Sequence, residues 1–176
     1  FPSNFFCLQS SRKKYPPMSF STTCTHSVSW HDDKVVKILN QWGRLKDDFG
    51  SDITLALTLE LNSVYSTDEF SKIFNVVEAN LKSWQGPVVL LIRVNSVLES
   101  YIKDRINENT ALFTNTLVAI ILSNNDDPVS RKAYTNMAIA GCPTRWVVSG
   151  VDIERGSILS NDAYVFAKRS AAVYRS

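Results

Sequence analysis

An α/β fold on a mainly parallel sheet is what the sequence predicts, from three observations. Short apolar runs recur at 53–59, 88–94 and 116–122. Stretches with apolar residues at three- and four-residue steps separate them, the signature of helices packed by one face. The run at 88–94, Val-Val-Leu-Leu-Ile-Arg-Val, is nearly unbroken, as suits a strand covered on both faces. Alternating strands and helices call for right-handed βαβ crossovers, and such sheets place their sites beyond the carboxyl ends of the strands.

The elements follow in order. Residues 1–31 read as a basic, Ser- and Pro-rich extension, with Arg12, Lys13 and Lys14 and no acid. The chain's net charge of +2 hides this, because residues 32–176 hold 16 basic and 17 acidic groups. Phe5, Phe6, Leu8 and Phe20 keep no period, and Pro2, Pro16 and Pro17 favour an extended course, so no long helix or strand is expected there. A helix is predicted over 32–49, with Val35, Ile38, Leu39, Trp42, Leu45 and Phe49 on one face, Asp32 or Asp33 as cap and Gly50 at its end. The strand 53–59 follows. Ser66 and Glu69 have capping-box spacing. They open a helix whose stripe is Phe70, Ile73, Phe74, Val77, Leu81 and Trp84, and Gly86-Pro87 stops it.

After the strand 88–94, Ser96 and Glu99 repeat the box spacing, and Leu98, Tyr101, Ile102 and Ile106 carry a helix to about 107. The strand 116–122 leads to a turn at 124–128, where Asp127 caps and Pro128 starts a helix ending near Gly141. A strand over 144–153 and a helix over 160–173 complete residues 32–176 as one domain.

Several chemistries lack their residues. Cys7, Cys24 and Cys142 are odd in number and show no C-x-x-C spacing, so structural zinc is not expected and free thiols are. His26 and His31 both lie in the extension, which leaves a His-based triad nothing to build on. The patterns G-x-G-x-x-G, G-x-x-x-x-G-K-S/T and G-x-S-x-G are absent. No apolar run approaches the ~18 residues of a membrane span. Arg131, Lys132, Lys168 and Arg169 read as solvated helix faces, and Trp42, Trp84 and Trp146 as core anchors.

One local feature carries chemistry. Gly150-Val151-Asp152-Ile153-Glu154-Arg155-Gly156 ends the fourth apolar strand. On an extended chain Asp152 and Glu154 point to the same side. Two such carboxylates are candidate metal ligands for Mg²⁺ or Mn²⁺, which prefer oxygen, and the ion could bridge to a diphosphate.

The stretch from Asp52 to about Arg169 resembles the nucleotide-binding half of GT-A glycosyltransferases, a Rossmann-like unit, and most closely the LARGE-type and β-1,4-glucuronyltransferase family. Trp84-Gln85-Gly86-Pro87 resembles that family's W-x-G-P entry to its second strand, Asn136-Met137-Ala138-Ile139-Ala140 its R-N-x-A helix, and Thr144-Arg145-Trp146-Val147-Val148 the strand into its D-x-D. Thr135 stands where the family has Arg. In one register Asp152-Ile153-Glu154 replaces D-x-D and keeps both carboxylates; in the other, Gly150-Val151-Asp152 replaces it and loses one.

The resemblance implies a further acceptor-binding half with the catalytic base, which is not expected in the 22 residues after Glu154. The expected function is therefore that of a non-catalytic glycosyltransferase-like structural subunit, with no catalytic residues and no cofactor. Attachment to other protein subunits is expected through residues 1–31, with RNA contact as a further role for their basic residues. The extension's composition and the non-Met start fit a processed mitochondrial protein, in a ribosome or a respiratory or ATP-synthase complex; the secretory lumen is the alternative. The competing function is a metal-dependent sugar-nucleotide transferase, or its nucleotide-binding half, using Mn²⁺ or Mg²⁺ at Asp152 and Glu154.

Overall fold

The computed structural model describes residues 7–10, 27–30, 34–41, 52–61, 66–122 and 131–173. The strands are β1 (Cys7–Ser10), β2 (Ser27–Trp30), β3 (Lys34–Asn40), β4 (Ile53–Glu60), β5 (Val88–Val94), β6 (Thr116–Leu122) and β7 (Trp146–Ser149). The helices are α1 (Thr67–Ser83), α2 (Glu99–Glu108), α3 (Arg131–Ala140) and α4 (Ala163–Val173). The strands form one sheet in the order β1-β7-β4-β5-β6-β3-β2. The four strands β7, β4, β5 and β6 run parallel, and β3 closes this central group antiparallel to β6. The short β1 and β2 of the N-terminal extension pair antiparallel with β7 and β3. This is the expected α/β class, with βαβ units β4-α1-β5 and β5-α2-β6.

Helices cover both faces of the sheet, which explains the unbroken apolar runs. Leu55, Leu57, Leu90, Ile92 and Ile120 pack with Phe74 of α1, Ile102 of α2 and Ala167 of α4 on one face. Ala56, Val89, Leu91, Ala119 and Val147 pack with Tyr134 and Ala138 of α3 on the other. All seven residues of β5 are buried. Burying a Leu, Ile or Val side chain stabilises by about 1.5–3 kcal/mol, so this double cover is the main source of cohesion.

The cap of α1 matches its prediction: Ser66 Oγ accepts from the Glu69 N–H at 3.1 Å. Phe70, Phe74, Val77 and Leu81 form the buried stripe, with the Phe70 and Phe74 rings stacked at 5.2 Å.

Three boundaries differ from the reading of the sequence. Residues 34–40 form a strand, not the start of a helix. Val35, Val36 and Ile38 are β-branched and suit a pleated surface, and pairing with β6 covers an edge that would otherwise stay open. Asn40 ties down the end of β3 by donating to Phe113 O (2.9 Å) and Thr116 O (2.7 Å). The rest of the expected helix, with Trp42, Leu45 and Phe49, lies outside the described residues.

The second difference is at α2, where Asn95 and not Ser96 supplies the cap. Asn95 Oδ1 accepts from the N–H groups of Val97 (3.1 Å) and Leu98 (3.2 Å), and a 3₁₀ turn at Ser96–Leu98 leads into the helix. Third, the last strand stops at Ser149 because Gly150 takes φ 88° and turns the chain out. The expected Asp127 cap and Pro128 lie outside the described residues. Among the described residues no helix is long and apolar enough to cross a membrane.

Glu99, freed from a capping role, ion-pairs with Lys37 and with Lys103, the latter at 2.7 Å. Hydrogen bonds from Lys103 and Lys37 hold its carboxyl below the ordinary value of 4.5, against a smaller opposing effect of burial. A lowered carboxyl pKa stabilises the fold above the unfolded value and loses that contribution as pH falls through the folded one. Both lysines are nearly half exposed, so Glu99→Gln should cost only about 0.5 kcal/mol at pH 7. In urea unfolding curves, variant and wild type should converge as pH drops well below 4.5. A gap that persists in acid would show that the pair is not its source.

Candidate functional site at the strand ends

The strand order reverses between β4 and β7: β5 and β6 extend the sheet on one side of β4, and the chain then returns to its other side. Such a switch point opens a crevice at the carboxyl ends of the two strands. Glu60 ends β4 there, and the loop 150–160 leaves β7 beside it.

That loop is tightly built. Gly156 N–H donates to Ile153 O (2.9 Å) and Ser157 N–H to Asp152 O (3.0 Å), and Gly156 has φ 79°. Side chains rarely adopt such angles, so Gly150 and Gly156 let the chain turn twice within seven residues. Ile153 and Leu159 are buried and anchor the loop from below. Asn80 of α1, fully buried, fastens it: its amide donates to Ser157 O (3.0 Å) and accepts from Leu159 N–H (2.9 Å).

Asp152 and Glu154 come together on the side of α3, although the chain between them is turned and not extended. One guanidinium reaches both. Arg131, the first residue of α3, places Nη2 3.1 Å from Asp152 Oδ1 and Nη1 3.7 Å from Glu154 Oε2. Glu154 Oε1 also accepts from the Glu60 N–H at 3.2 Å. The Glu60 side chain turns to Arg93, with Oε1 2.6 Å from Nη1. Arg93 lies over the Tyr134 ring at 5.4 Å. Arg155 adds a contact to Asp152 at 3.5 Å, but its side chain is 87% exposed, and pairs of that kind contribute little. The ends of β4, β5 and α3 and the loop after β7 are thus joined by one network of ion pairs and a backbone hydrogen bond.

The electrostatics favour that closed arrangement. Partial burial disfavours the charged form of Arg131, but the hydrogen bond to Asp152 and the charges of Glu154, Asp152 and Glu60 outweigh it and raise its pKa. The cleft lined by Thr58, Glu60, Arg93, Arg131, Tyr134 and Glu154 is partly open to solvent and has room for about one water molecule, far less than the ~300 Å³ at the small end of ligand pockets. Among the described residues no group of three or more His, Cys, Asp or Glu could hold a metal ion. Thr135 donates its hydroxyl to Arg131 O at 3.1 Å, within α3 itself.

Arg131 is exposed, as expected of a solvated helix face, with 51% of its side chain accessible, and it also bridges the two carboxylates. Glu60 and Arg93 join the site beyond the residues that the sequence pattern points to. Arg93 had a signal: it is a lone charge near the end of an apolar run, and a buried charge needs a partner. Cys142 donates to Ala138 O at 3.3 Å, and burial pushes its thiol pKa up, which favours the protonated thiol. Cys24, His26 and His31 lie outside the described residues.

No protein-family model matches the chain, and no curated protein matches it. What is established is an α/β fold with a mostly parallel, Rossmann-like sheet and an arginine-bridged carboxylate pair at its switch point.

Proposed function

We propose that this chain is a non-catalytic, glycosyltransferase-like domain that serves as a structural subunit of a larger assembly and attaches through residues 1–31. The observation that carries the reading is the Arg131 bridge. A catalytic Mg²⁺ or Mn²⁺ needs carboxylate oxygens free to enter its coordination shell, at about 2.0–2.1 Å for Mg²⁺. Here the Arg131 guanidinium, tethered to the fold, already contacts both carboxylates where such a cation would sit. The charge of the strand ends is balanced without a metal.

The basic extension supports attachment: the charges of Arg12, Lys13 and Lys14 complement an acidic protein surface or RNA. Its composition supports a mitochondrial assembly, such as the ribosome or a respiratory or ATP-synthase complex.

The competing reading, a metal-dependent transferase for a nucleotide sugar, has one observation in its favour. Asp152 and Glu154 do converge where a parallel sheet places its ligands. Calorimetry separates the two. Titration of the full chain with millimolar nucleotide sugars in the presence of Mn²⁺ should give no binding heat. Mn²⁺-dependent binding that Asp152→Ala abolishes would overturn the proposal and establish the competing one. Mild extraction tests the assembly role: the chain should sediment with a larger complex and be released when Arg12, Lys13 and Lys14 are replaced by Glu, which keeps β1 and β2 in the sheet. Recovery only as a free monomer would refute that role.

A further inference from the structure

We draw no further inference here: the strongest candidate, the exposed apolar stripe of α4 formed by Val165, Phe166 and Val173 with Ile158 in the preceding loop, carries nothing because nothing in the structure shows what covers it.

Discussion

Asn80→Ala should lower the unfolding free energy by about 3 kcal/mol, because it leaves one buried and one part-buried backbone group without their partner. Asn80 is fully buried on the core side of α1. Its amide nitrogen donates to Val76 O (2.8 Å) and Ser157 O (3.0 Å), and its oxygen accepts from Leu159 N–H (2.9 Å). Val76 O keeps a place in the helix ladder, but Ser157 O and Leu159 N–H belong to an irregular loop with no ladder to fall back on. A loss of this size lowers the melting temperature by roughly 6–12 °C for a chain of this length. Amide exchange gives the specific readout: Leu159 should exchange faster in the variant, ahead of the β5 and β6 core.

Asn80→Asp sharpens the point. It keeps an acceptor for Leu159 N–H but turns carboxylate oxygen toward Ser157 O and Val76 O. A buried, badly matched carboxylate has a raised folded pKa, so its stability is greatest below the unfolded value of about 3.9 and falls as pH rises. Asn80→Asp should therefore regain stability in acid, relative to wild type, while Asn80→Ala should not. Equal stability of Asn80→Ala and wild type, or unchanged protection at Leu159, would show that the loop is held by other contacts.

Asn80 also marks where the sequence stops being legible. It lies three residues after Val77 and four before Trp84, so helical spacing places it on the apolar face. A polar residue there signals a buried hydrogen bond, but not its partner, because Ser157 and Leu159 are nearly 80 residues away. The parallel strands and α1 were legible because their pattern is local. The helix that the pattern predicts over 32–49 gives way to a strand over its first half for the opposite reason. Val35, Ile38 and Leu39 fit a helical face, yet the open edge of β6 decides the outcome, and no local pattern reports that edge.

The site shows the same division. The spacing of Asp152 and Glu154 placed both carboxylates at a strand end. That Arg131 would bridge them depends on how α3 crosses the second face of the sheet. Arg131 is half exposed, as its helix position implies, but helix position alone does not report the loop that packs beside it.

Gly86→Ala should destabilise the fold by about 3 kcal/mol, at the upper end of the usual cost of overpacking. The cause is space and not backbone angle. A β-carbon at this position would lie 2.6 Å from Ile53 O, 2.7 Å from Tyr164 Cε2 and 3.1 Å from Trp84 Nε1. None of these can easily withdraw. Ile53 O belongs to the first residue of β4, whose register against the entry to β5 is set two residues later by Leu55 N–H donating to Pro87 O at 3.0 Å. Tyr164 is held by its hydroxyl on Asp52, by the edge of Trp84 at 5.1 Å and by Lys168 over its ring at 5.4 Å. The W-x-G-P segment is thus a packing joint: Trp84 closes α1 against α4, Gly86 lets the chain pass under β4, and Pro87 sets the strand register. A double-mutant cycle separates the two clashes. In a Tyr164→Ala background the ring contact is gone but the Ile53 carbonyl remains, so Gly86→Ala should cost less than in wild type while still costing more than a surface Gly→Ala change. Strict additivity of the two substitutions in urea unfolding would mean that the ring does not constrain Gly86, and a neutral Gly86→Ala would mean that β4 can shift freely at its first residue.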